Sequence, residues 1–153
     1  MRTLVTGVLA AAAFAVPLVA AADSKTFTAP SGWVHQPSAT SSPGAVARSL
    51  DTWKKGNQSL TVLFDAGLAY ADELALVRKN ISENGLHPTT DRDFTCAGRP
   101  AHEVLMSLNG SMFRQVLIDD GAGQGSTRIT YSHPDSVPAA PDVDSAITAY
   151  CGP

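Results

Sequence analysis

Very few residues in this chain are spaced for chemistry. His102 is followed directly by Glu103, the only adjacent acid–base pair, and a histidine close to a carboxylate can serve as a general base. On a strand, however, neighbouring side chains point to opposite faces, so the two could not hydrogen-bond each other. A strand with one solvated polar face is the plainer reading. The other histidines, His35, His87 and His133, form no His-x-His or His-x-x-x-His pair that would set two metal ligands side by side. There is no Gly-x-Ser-x-Gly elbow, and Ser111 beside Asn109-Gly110 reads as a turn residue. Gly121 to Ser126 resembles a phosphate-cradling loop, but that device feeds a helix N-terminus, and here the following 127–132 stretch is strand-like. It reads as a hairpin loop, with Asp119 and Asp120 at its base able to touch a partner or hold calcium weakly. No catalytic, cofactor or metal site can be named from these residues.

Two cysteines, Cys96 and Cys151, are the remaining reactive groups. They form neither a C-x-x-C redox motif nor, without suitably spaced histidines, a zinc site. In an oxidising compartment one disulfide between them is the simplest arrangement, with free thiols as the alternative.

The compartment follows from the first 22 residues. Arg2 precedes an uncharged run from Thr3 to Ala22, rich in Leu, Val and Ala, with Pro17 just before a small-residue site. This reads as a signal peptide cleaved to leave Ala22 or Asp23 as the new N-terminus, rather than as a membrane span. No cysteine lies near that site to carry a lipid anchor, and no stable membrane insertion is expected after cleavage. Residues 23–153 are then a single domain, long enough to bury its own core. Without Arg2 that domain holds ten Lys and Arg against 14 Asp and Glu, a formal charge of −4. Such a balance offers no basis for binding nucleic acid or an anionic membrane. Asn57-Gln58-Ser59, Asn80-Ile81-Ser82 and Asn109-Gly110-Ser111 match the glycosylation acceptor, but the alanine-rich leader points to a bacterial source and to chance matches.

The elements that must position these side chains come in two groups of strands, each followed by a helix. Lys25–Thr28 and Trp33–His35 flank a turn at 30–32, and Ala45–Trp53 and Ser59–Phe64 flank another at 55–57. Between them, 36–44 reads as a surface loop rich in Ser and Pro. From 68 to 84 the period changes: Tyr70, Leu74, Val77 and Ile81 share one helical face, with Gly85 as the stop. His87–Thr95 is the next strand. Asn109-Gly110 then demands a type I′ turn joining Ala101–Leu108 to Met112–Asp119. A strand at Ser126–Ser132 follows, then a short helix over 142–150, capped by Asp142. The expected class is α+β: a mostly antiparallel sheet of six to seven strands, covered by one long helix (68–84) and a short C-terminal one. Trp33 and Trp53, at strand ends, are expected in core or rim packing, or in a partner-binding patch if exposed.

Phe27-x-x-Pro30-x-Gly32-Trp33, the hairpin after it, the single amphipathic helix, the Gly98-Arg99-Pro100-Ala101 step and the short closing helix together resemble the PsbP-like family. The resemblance implies an α/β/α sandwich. In that family the fold serves photosystem accessory subunits, a nuclear-import factor and bacterial envelope proteins, mostly without catalysis. The functional expectation is therefore a secreted, non-catalytic domain, extracellular or periplasmic, that binds or assists an envelope or extracellular partner. Its rivals are a small hydrolase whose site is assembled from His102, His133 or His87 with carboxylates, and a carrier of a small apolar ligand held between helix and sheet. Titratable groups converging in a cleft, or an apolar cavity under the 68–84 helix, would separate them.

Overall fold

In the computed structural model, residues 26–36, 48–121 and 123–152 are described. The leader at 1–22 and all of the 36–44 loop except Gln36 lie outside them. Seven strands, β1 (Val34–Gln36), β2 (Arg48–Lys55), β3 (Gln58–Asp65), β4 (Thr90–Cys96), β5 (Arg99–Leu108), β6 (Ser111–Asp119) and β7 (Ser126–Pro134), form one sheet. Its order is β1-β2-β3-β7-β6-β5-β4, and every pair is antiparallel. Helix α1 (Tyr70–Glu83) links β3 to the far edge strand β4, and α2 (Pro141–Cys151) closes the chain. The class is α+β, with strands dominant and both helices modest in length.

Asn109 and Gly110 have φ of 53° and 77°, as the type I′ turn requires, and fix the register Leu108↔Ser111. Ala97-Gly98 turns β4 into β5 with nearly the same angles, 52° and 76°. Alanine there carries no sequence signal for positive φ, so the spacing does not predict that hairpin.

Period-two alternation assigns the two faces. Leu60, Val62, Ile129, Tyr131, Val116 and Ile118 project to one side, where Val143, Ile147 and Tyr150 of α2 pack on them together with Phe27 and Trp33. A disulfide between Cys96, at the end of β4, and Cys151, at the end of α2, closes this layer. The opposite face is polar across its middle: Asp65, Ser126 and Arg128 lie there with Leu63, Leu117 and Gln115. Helix α1 covers it.

The structure corrects the sequence reading in three places. Residues 26–28 form no strand; Phe27 instead inserts into the core, its ring 5.8 Å from Trp53 and 5.7 Å from Tyr150. Helix α1 is shorter than 68–84, and Leu74, Val77 and Ile81 are only half-buried. The reason is the polar face beneath: the residue α1 buries is Glu73, 4% exposed, which meets Arg128 and the hydroxyl of Ser126. Finally, Asp142 does not cap α2. The helix begins at Pro141, whose missing N–H needs no cap, after Ala140 at the capping position. The Asp142 carboxylate instead accepts from Lys55 Nζ at 2.9 Å and Trp33 Nε1 at 3.3 Å.

Candidate functional site

Between α2, the segment leading into it and the β4–β7 half of the sheet lies a cleft of about 610 Å³. Alternation along the strands builds it: Arg92 on β4, Glu103 and Leu105 on β5, Arg114 on β6 and His133 on β7 all face the α2 side. Glu103 is 5% exposed and takes both guanidinium groups. Arg92 Nε donates to Oε2 at 2.7 Å, with Nη2 2.6 Å from the same oxygen, and Arg114 Nε donates to Oε1 at 2.7 Å. Burial pushes the Glu103 carboxyl up, but hydrogen bonds from Arg92 and Arg114 outweigh it and hold the group below its ordinary range. Arg114 reaches on through Nη1 to Asp144, on the first turn of α2.

His133 lies at the other end of the cleft, its ring 5.2 Å from that of Tyr131. Its Nδ1 donates to the Pro134 carbonyl, 2.9 Å away, which leaves the lone pair of the neutral imidazole on Nε2. Tyr131 is occupied: its hydroxyl donates to Gln58 Oε1 at 2.5 Å and accepts from Ala140 N at 2.8 Å. Burial raises that phenol above its usual range.

The histidines do not converge. His102 points to the α1 face, 2% exposed, and Nδ1 donates to Asp93 Oδ1 at 2.7 Å. Its Nε2 lies 3.1 Å from Asp91 Oδ1 but outside hydrogen-bonding geometry. The bond from His102 is the main reason the Asp93 carboxyl sits below its ordinary range, and Arg78 of α1 adds to it. His87 is exposed in the 86–89 connection, and His35 packs on Trp53 with Nε2 at 2.9 Å from Asp51. Among the described residues no histidine hydrogen-bonds a serine or threonine hydroxyl.

The remaining candidates have structural partners. Asp120 accepts from Arg99 Nη1 and Thr127 Oγ1, both at 2.7 Å, and burial nevertheless raises its carboxyl. Asp119 accepts from Gly121 N. Gly125 is needed because a Cβ would stand 2.1 Å from the Asp65 carbonyl oxygen. Trp33 is buried and Trp53 half-buried. Asn57, Asn80 and Asn109 are exposed, Asn57 and Asn109 in turns and Asn80 on α1. No group of three His, Cys, Asp or Glu among the described residues is placed to hold a metal, and none of the described helices is long and apolar enough to cross a membrane.

A second, smaller pocket of about 270 Å³ lies under α1. Its walls include Leu63, Val77 and Ile81, but also Asp65, Glu73 and Arg128, so it is not an apolar cavity. The sequence did not single out Arg92, Arg114, Glu73 or Asp144. No protein-family model matches the chain, and neither a curated protein nor a solved structure does so.

Proposed function

We propose that the protein is a secreted, disulfide-stapled domain of PsbP-like architecture that binds an extracellular or periplasmic component in the α2-face cleft and catalyses nothing. The observation that carries this reading is the state of the charged groups in the cleft. Glu103 holds Arg92 and Arg114, exposed Asp144 completes the set on Arg114, and His133, the histidine among the described lining residues, has no hydroxyl partner to activate. A hydrolytic site needs a nucleophile or a water positioned by a base whose partner is free to move the proton. A binding cleft needs the opposite, groups held rigidly in place before the ligand arrives. Export is supported by the Cys96–Cys151 bond, which persists in oxidising compartments.

The test is made on the secreted protein. Incubated with chromogenic ester, phosphate and glycoside substrates it should show no turnover, and its native mass spectrum after isolation from its own medium or periplasm should carry a bound component. Turnover that His133→Ala abolishes would overturn the reading.

A further inference from the structure

We propose that the ligand taken by this cleft is a small hydroxylated monocarboxylate, such as a sugar acid, whose carboxylate replaces Asp144 on Arg114. The inference rests on the binding function above and specifies its ligand.

Three features lead to it. Glu103 orients both Arg92 and Arg114 toward the cleft; the Arg114 side chain, 22% exposed, is the one held there, whereas that of Arg92 is 64% exposed. Arg114 is 22% exposed in its side chain, whereas the Asp144 side chain that it holds is 66% exposed. An ion pair of that kind contributes little and exchanges readily with another carboxylate. Asp144 thus occupies the anion position as an internal stand-in.

The charge count selects the ligand. Arg92 and Arg114 balance Glu103 and Asp144 as the cleft stands. When Asp144 leaves, one positive charge is uncompensated, and a monoanion restores neutrality. A dianionic phosphate would leave a net negative charge against the buried Glu103, at an electrostatic cost in a partly desolvated site. Beside the guanidinium groups, Thr90 contributes a hydroxyl and His133 an acceptor nitrogen, which suit a body carrying hydroxyl groups. A volume of about 610 Å³ accommodates a molecule of monosaccharide size or somewhat larger.

The experiment titrates the ¹⁵N-labelled secreted protein with D-glucuronate, D-glucose and inorganic phosphate, following backbone amide resonances. Glucuronate should shift amides of β4, β5, β6 and the start of α2, while glucose and phosphate bind more weakly. Asp144→Asn removes the internal competitor and should tighten glucuronate binding, by up to about fivefold. The charge-neutral double variant Glu103→Gln with Arg114→Gln should abolish it. Glucose binding as well as glucuronate, or phosphate binding better, would overturn the ligand assignment while leaving a binding cleft in place. No response in the cleft to any probe, or an Asp144→Asn variant that binds glucuronate no tighter, also overturns the assignment. Loss of the binding function itself would show separately, as turnover with the chromogenic substrates.

Discussion

His102 and Glu103 are consecutive in β5 yet serve opposite faces of the sheet: one is held by Asp93 on the α1 side, the other by Arg92 and Arg114 in the α2-face cleft. The same strand therefore anchors the edge strand β4 twice, once through each face. What resembled an acid–base pair in the sequence is two unrelated hydrogen-bonded sites.

Glu103 gives a prediction for acid. Its folded carboxyl titrates below the ordinary value of 4.5, so its contribution to stability is full above that value and is lost as pH falls through the folded one. Denaturant midpoints measured from neutral pH downward should fall below about pH 4.5. Glu103→Ala removes the buried carboxylate that Arg92 and Arg114 share; it should cost roughly 2 kcal/mol at neutral pH, Arg114 keeping Asp144, and should flatten that decline.

Cys96 and Cys151 are 55 residues apart, a loop for which chain entropy alone gives about 4 kcal/mol. Cys151→Ser should lower thermal stability far more than a substitution at exposed Ser145. Thiol titration of the unreduced, denatured protein should find none; two per chain would refute the bond.

The helices should respond unequally to truncation. Ile147 is 4% exposed on α2, and Ile147→Ala should cost about 2–4 kcal/mol, whereas Leu76→Ala, at a position 55% exposed on α1, should cost only about 0.5 kcal/mol. Urea denaturation of both variants makes the comparison.

Gly125 and Gly123 share a loop and positive φ but differ in surroundings. Gly125→Ala drives a methyl into the Asp65 carbonyl and should cost more than about 2 kcal/mol, while Gly123→Ala, with nothing within 4 Å, should cost about 1 kcal/mol of backbone strain. Equal losses in denaturant midpoint would mean that the close approach does not exist.

Most strands were legible because alternation and the Asn109-Gly110 turn are local signals. That turn even sets the register that brings Glu103 diagonal to Arg114, so half of the cleft's ion-pair network could have been read from the hairpin alone. Arg92 and Asp144 could not. Arg92 meets Glu103 through the register set by the Ala97-Gly98 turn, where alanine gives no positive-φ signal, and Asp144 depends on where the last loop sets α2 down, which no spacing encodes. The α1 stripe misled for a related reason. Leu74, Val77 and Ile81 have the right period, but whether a stripe is buried depends on the opposing surface, and here Arg128 and Ser126 draw Glu73 inward instead.

Helix α2 is fastened at both ends, by Asp142 to Trp33 and Lys55 near the start of the sheet and by Cys151 to the far edge strand. It supplies Val143, Ile147 and Tyr150 to the core, so the α2 face of the sheet is covered only while this helix is docked. Reduction would release the distal tether and leave α2 held over Leu60, Val116 and Ile129 by packing and by the Asp142 contacts alone. The disulfide thus acts as a latch: it sets how often α2 lifts from the sheet rather than which residues it covers.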